Sequence, residues 1–381
     1  MNIQNMLNRL LLLLLICSVL FLSFTAMASY PKTFTDTQGR EITLDKPAER
    51  IITRSPDEAR VIIALGFGDK LIAGEQATKT CLCPTGGAGT ENLDDGCQDC
   101  YHTIIDGRMP DLPEISTRYD IYYEQIAALK PDIIFCGSLK DAEAFEDKIS
   151  CPVVVLGGSG WNFDDGGCFT SIRVAGQALD AEEKAEDLIK FLDNKINLVK
   201  SVTDKMDIDE KPKVYFASRG ASKGFYDPKE GRDFTRTEPE YDPLNVAGGN
   251  NVASEINGST INVALEQIIA WNPDYIFISN SQAGNNSSLD FIKNCPELQS
   301  VNAIKNGNVY NCFSPHCRGQ PPDRSLLNMM YMAKVMHPEE FKDLDLEKEG
   351  NEIFKALLGV DNVFTEYADY LVWTREYLDS L

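Results

Sequence analysis

The sequence predicts an α/β protein of two Rossmann-like α/β lobes joined by a single long connecting helix. Three observations predict it. Near the N-terminus, residues 50–53, 55–66 and 71–74 read strand, helix, strand, the order of a parallel sheet covered by helices. One unit occurs twice, EQIAALKPDIIF at 124–135 and EQIIAWNPDYIF at 266–277, each a short helix ended by Pro and followed by an apolar strand. The same unit in each half implies two similar lobes, which suits a chain of 381 residues. Between the halves, residues 171–206 place Ile172, Ala175, Leu179, Leu188, Phe191, Leu192 and Ile196 at helical spacing with no interior Pro. That stretch predicts one long rigid helix.

The elements follow in order. Residues 1–28 read as a cleaved export signal. Arg9 is their one charge, Leu10 to Leu22 is almost wholly apolar, and Ala26-Met27-Ala28 supplies the small-x-small cleavage pattern. The apolar run is short for a membrane span, and an uncleaved anchor is the alternative. Residues 33–44 alternate apolar and polar about Gln38-Gly39 and predict a hairpin. Ser55, Pro56 and Glu58 form a helix start with a capping box, and Gly66 stops that helix. A Gly- and Cys-rich loop fills 76–112. Helices at 124–129 and 142–148 then alternate with strands at 133–136 and 153–156. Pro212 ends the long helical stretch. A second α/β series has strands at 214–216, 275–279 and 309–311, and the tail from Pro338 is helical and acidic. The division is signal 1–28, first lobe 29–170, connector 171–206 and second lobe 207–381.

Thirty-six Lys and Arg against 58 Asp and Glu give a net charge of −22. Such a chain repels phosphate, which excludes nucleic acid as a partner. With 43% apolar and 25% charged residues it is an ordinary packed chain. There is no Gly-x-Ser-x-Gly elbow, phosphate-binding Gly loop or His-Glu-x-x-His, so no enzymatic activity is expected. The acid pairs Asp57-Glu58 and Asp164-Asp165 fall at a helix cap and in a Gly-rich turn. Export makes disulfides the default for the cysteines, although their pairing is not deducible. Cys81-x-Cys83 and Cys97-x2-Cys100 read as two local disulfides stapling a loop, or as a zinc set, for which C-x-C is the less typical half. The histidines are His102, His316 and His337. His337, ahead of Pro338, reads as structural, so an imidazole cage for a bare metal is not available. Met329, Met330, Met332 and Met336 read as helix core.

Residues 36–74 (DTQGREITLDKPAERIITRSPDEARVIIALGFGDKLIAG), the two Glu…Pro-Asp units, AGGNNVA at 247–253 and RSLLNMMYMAKVMHPEEF at 324–341 together resemble one family. It is the periplasmic substrate-binding proteins that deliver iron–siderophore complexes, haem or cobalamin to ABC importers. The resemblance implies a ligand cleft between the lobes, small lobe closure, no resident cofactor and a monomer. It implies an ABC permease dimer with its ATPase as partner, a periplasmic or outer-envelope location, and a ferric chelate as cargo. Haem (with His102 or His316 as axial ligand), cobalamin, or metal capture by the cysteine loop are the alternatives. It also gives Glu124 and Glu266 the task of docking onto permease arginines, one per lobe. The Cys-rich loop departs from the family, which is short there. Ligands of open α/β lobes bind beyond the carboxyl ends of strands. The loops there carry Arg54, Trp161, Arg219, Lys223, Tyr226, His316, Arg318 and Arg324. That basic and aromatic set suits a bulky, planar or anionic chelate.

Overall fold

The computed structural model describes residues 29–75, 112–117, 120–157, 167–220, 234–258, 260–280, 287–313 and 322–366. The export signal and nearly all of the Cys-rich loop, with Cys81, Cys83, Cys97 and Cys100, lie outside the described residues.

The first lobe opens with an antiparallel hairpin, β1 (Lys32–Thr35) and β2 (Glu41–Leu44), in which Phe34 faces Ile42. Asp36 at its turn accepts hydrogen bonds from the backbone of Gln38 and Arg40 and from Val155 N–H. One carboxylate thus shapes the turn and pins the hairpin to the sheet edge. The sheet has β3 (Ile51–Thr53), β4 (Leu71–Glu75), β5 (Glu114–Ser116), β6 (Ile133–Cys136) and β7 (Val153–Val155). Its order is β5-β4-β3-β6-β7, all parallel. The chain therefore winds outward from β3 in both directions, and the switch point lies between β3 and β6. Helices α1 (Pro56–Ala64), α2 (Tyr123–Leu129) and α3 (Leu139–Glu146) connect the strands. The capping box of Ser55 and Glu58 starts α1, and Gly66 leaves it at φ +84°.

The predicted connector at 171–206 is not one helix. Helix α4 (Cys168–Ala178) ends, the chain turns at Leu179, Asp180 and Ala181, and α5 (Glu182–Thr203) begins. Asp180 sits at φ +54°. Its carboxylate accepts from Tyr30 O–H at 2.5 Å and from Lys32 Nζ at 2.7 Å, and Lys32 also reaches Glu182. Gly176 lets the two helices close up: a Cβ there would lie 2.6 Å from that of Ala185. The 22-residue α5, about 33 Å long, is the connector proper.

The second lobe holds β8 (Lys213–Gly220), β9 (Arg236–Thr237), β10 (Asn250–Asn251), β11 (Ile261–Asn262), β12 (Tyr275–Asn280) and β13 (Val309–Phe313). The order is β11-β9-β8-β12-β13, with β10 also beside β8. β8, β10, β12 and β13 run parallel, and β9 runs antiparallel to its two neighbours, β8 and β11. Here too the first strand is internal, and the switch point lies between β8 and β12. The helices are α6 (Asp242–Val246), α7 (Leu265–Trp271), α8 (Ser287–Asn294), α9 (Asn302–Lys305), α10 (Pro322–Met336), α11 (Leu346–Leu358) and α12 (Val363–Glu366).

One apolar core runs through both lobes by way of α4, α5, α10 and α11, joining Ile51 and Phe135 to Leu192, Phe216, Phe277 and Phe354. The outer sheet faces carry smaller cores, around Ile134 and Phe145 and around Tyr215 and Ile276. The four methionines of α10 are buried in the shared core. His337 is buried against Gly248 O, toward which Nε2 donates at 3.3 Å. Lys195 of α5 is buried between Glu349, at 2.6 Å, and Glu352, which ties the connector to α11.

The disulfide expectation fails where it can be examined. Among the described residues, Cys136, Cys151, Cys295 and Cys312 are free thiols, and no disulfide is formed. They serve as small apolar side chains packed on strands and helix ends, and burial pushes the Cys151 thiol up to about 12.

Candidate ligand-binding site

Helix α1 starts at the carboxyl end of β3, and α10 starts beyond the carboxyl end of β13. Asp57 and Glu58 of α1 line one small cavity, of about 40 Å³, together with Pro322 of α10, Leu357 of α11 and Ser171 of α4. The first turns of α1 and α10, which follow strands of the two sheets, therefore meet at one junction, and the carboxyl ends of strands are where α/β sheets hold their ligands.

Arg54 stands directly after β3. Its Nη1 donates to Ser116 Oγ at 3.3 Å, and its Nε lies 3.7 Å from Asp141 of α3. Arg324 is not in a loop as the sequence suggested. It is the third residue of α10 and is buried. The apolar stripe Leu326, Leu327, Met330 carries the helix further toward its N-terminus than the flanking Pro residues imply. Arg219 lies on β8, with its side chain undescribed. Trp161, Lys223, Tyr226, His316 and Arg318 lie outside the described residues, as do the four loop cysteines and His102. Among the described residues no group of three or more His, Cys, Asp or Glu is placed to hold a metal ion.

Glu58 is wholly buried at the junction. Its Oε2 accepts from Ser55 N–H at 2.6 Å. Burial, with Asp57 adding repulsion, pushes its carboxyl up to about 8. Gly137, after β6, makes room for it, since a Cβ there would meet Glu58 Oε1 at 2.9 Å.

The sequence did not mark three further groups. Thr53 ends β3, Ser218 lies near the end of β8 and Ser279 near the end of β12. All three are buried, and their hydroxyls have no hydrogen-bond partner among the described residues. Their signal in the sequence is faint: a hydroxyl at the close of an otherwise apolar strand.

The repeated units adopt matching roles. Glu124 and Glu266 are exposed second residues of α2 and α7, and Ile126 and Ile268 anchor those helices. Each helix ends at a left-handed residue, Lys130 at φ 49° and Asn272 at φ 46°. The Asp that follows Pro then clamps the neighbouring strand. Asp132 Oδ2 accepts from Glu49 N–H and Asp274 Oδ2 from Lys213 N–H, both at 3.1 Å. Asp132 N–H donates to Arg50 O at 2.9 Å, and Asp274 N–H to Lys213 O at 2.8 Å.

Two sheets wound from internal strands, one in each half of the chain and joined by a shared core, define a two-lobed α/β architecture. Residues 51–315 match the periplasmic binding protein family, and the chain belongs to it. An uncharacterized ABC transporter substrate-binding lipoprotein of Bacillus subtilis, YvrC, is 21% identical over 82% of this chain and 88% of its own. The vitamin B12-binding protein of Vibrio campbellii is 23% identical over 74% of this chain and 86% of its own. The solved molybdate periplasmic binding protein MolA of Haemophilus influenzae, bound to molybdate, superposes with a TM-score of 0.65. It is 17% identical and covers 87% of this chain and 98% of its own. At these identities the solved structure speaks for the fold and the printed ligands belong to those proteins.

Proposed function

We propose that this chain is the extracytoplasmic solute-binding component of an ABC importer, with an anionic ferric chelate of the siderophore type as its cargo. The observation that carries the cargo class is the placement of Arg54 and Arg324, one per lobe, at the carboxyl ends of the sheets in a chain of net charge −22. Arginines kept there against the overall charge suit carboxylate, catecholate or hydroxamate oxygens. The sequence of the adjoining segments adds Trp161, Lys223, Tyr226, His316 and Arg318. The ligand is bound and handed on without chemistry. Export by the N-terminal signal, with cleavage after Ala28, accounts for residues 1–28. Glu124 and Glu266 dock onto cationic groups of the permease dimer that works with the ATPase, and a fixed pair of carboxylates sets the register of that contact.

The test is a fluorescence titration of residues 29–381 with ferric siderophores of several classes, haem, cobalamin, molybdate and zinc. Trp161, Trp271 and Trp373 are the reporters. Sub-micromolar binding of a ferric chelate is the expected result. Tight binding of molybdate or cobalamin alone replaces the cargo with that ligand. Binding of zinc alone, lost on changing Cys97 and Cys100, overturns the reading in favour of metal capture by the cysteine loop.

A further inference from the structure

We propose that Thr53, Ser218 and Ser279 form a hydroxyl cradle at the floor of the ligand site, built to hydrogen-bond the anionic oxygens of the cargo. The inference rests on the binding reading above and names the atoms that meet the ligand.

Buried polar atoms in folded proteins nearly always have partners. Among the described residues these three hydroxyls have none, although their residues are 0%, 0% and 1% exposed. Their positions coincide with the topology. Thr53 closes β3, the strand at the switch point of the first sheet. Ser218 and Ser279 lie on β8 and β12, the two strands that flank the switch point of the second. Ile278 pairs with Ala217 and Asn280 with Gly220, so the register shifts between them and Ser279 stands opposite Ser218 and Arg219 at that irregularity. A fourth such hydroxyl, Thr237, lies on β9 across from Ala217, away from the switch point, and is not part of the group.

Side-chain direction follows from the pleat. Phe216 and Phe277 point into the shared core, and Ser218 and Ser279 follow two positions further along, at the register shift between β8 and β12. The core side is covered by α10. Tyr331 meets Phe277 edge-on at 6.1 Å. Asn328 accepts from Phe313 N–H and donates to Phe313 O, both at 2.9 Å. Arg324, Asn328 and Tyr331 share one helix face at i, i+4 and i+7. Arg324 and the first turn of the 15-residue α10 therefore lie one turn before Asn328, at the carboxyl end of β13, and bring positive charge and the positive end of a helix to that end of the sheet. In the first lobe Thr53 is followed directly by Arg54. Hydroxyl donors beside arginines match carboxylate, catecholate, hydroxamate or oxo oxygens, and they oppose a bare cation.

The unpaired state gives the test its contrast. A hydroxyl with no protein partner contributes little to the unliganded fold, so its removal leaves the melting temperature unchanged or raises it. The pair Ser218→Ala with Ser279→Ala, and separately Thr53→Val, are titrated with the anionic probes ferric citrate, a ferric tris-catecholate and molybdate. Cyanocobalamin is the uncharged counter-probe. For the anionic probe that wild type binds, affinity is expected to fall about tenfold per hydroxyl removed. Ser218→Thr and Ser279→Thr retain the donors and are expected to keep part of it. Unchanged affinity for that probe in both Ser→Ala and Thr→Val proteins overturns the cradle while leaving the cargo reading standing. A lowered melting temperature with unchanged affinity also overturns it, since the hydroxyls would then be structural. Wild type that binds cyanocobalamin and no anionic probe overturns the cargo reading and the cradle with it.

Discussion

Glu58 carries two roles that pull its chemistry in opposite directions. As the third residue of a capping box it accepts the Ser55 N–H, which an ionised carboxylate does best. As a wholly buried group it resists ionisation, and burial wins, since its carboxyl is pushed up from 4.5 to about 8. The sign of the consequence is fixed. The unfolded chain ionises this group near 4.5 and the folded chain near 8, so its contribution is complete below pH 4.5 and is lost as pH rises through 8. The loss is on the order of 3–5 kcal/mol between those limits. Glu58→Gln keeps an acceptor for Ser55 and cannot ionise. It is expected to match wild type in urea unfolding at pH 5 and to be the more stable protein at pH 9. Equal stability of the two proteins at pH 9 would show that the folded carboxyl ionises at its ordinary value.

Packing between helices decides a sign at the scale of the element. Gly350 lies inside α11, where glycine costs about 1 kcal/mol relative to alanine. A Cβ there would lie 2.3 Å from the Phe364 ring of α12. Gly350→Ala is therefore expected to destabilise by about 1–3 kcal/mol despite the gain in helix propensity, measured as a lower urea midpoint. A raised midpoint would mean that α12 moves away without cost. Local signals of this kind explain which elements were legible in the sequence. The start of α1 was, because Ser55, Pro56 and Glu58 act within one turn. The β1–β2 hairpin was, because alternation needs no distant partner. The break between α4 and α5 was not. No breaker residue stands at 179–181, and Asp180 is held in its left-handed conformation by Tyr30 and Lys32, far away in the chain. β5, β9, β10 and β11 are two or three residues long and owe their existence to the strand beside them. At the site, Arg54 was readable from its place after a strand. Arg324 was assigned to a loop although Pro322 stands at the first position of α10, where proline favours a helix start. Thr53, Ser218 and Ser279 were invisible, since only burial without a partner distinguishes them from other hydroxyls.

On the scale of the whole molecule, the two lobes share one core, and α11 packs against both α1 and α10. Large hinge opening would tear that core, so ligand entry is expected to involve small lobe movement, and the spacing between surface points on the two lobes is nearly fixed. This rigidity bears on the docking role proposed above for Glu124 and Glu266, and the outcomes that follow are those expected on that proposal. Glu124 and Glu266 stand at equivalent exposed positions of α2 and α7, and each helix is fastened to its sheet by a buried isoleucine and an Asp clamp. A carboxylate at the start of a helix also favours the helix dipole by about 0.3–1 kcal/mol when exposed. Neutral substitutions therefore mix a small local effect with any loss of docking, and reversal separates them. Glu124→Arg with Glu266→Arg is expected to abolish uptake of the cargo by cells, while the purified protein keeps its ligand affinity and unfolds within about 2 kcal/mol of wild type. Each single reversal should leave partial uptake, because one lobe still docks. Opposite reversals in the facing permease arginines should restore transport by the double variant, which a purely local helix effect cannot do. Full uptake by the double variant would remove these two glutamates from the docking surface, and loss of ligand affinity would place them in the binding site.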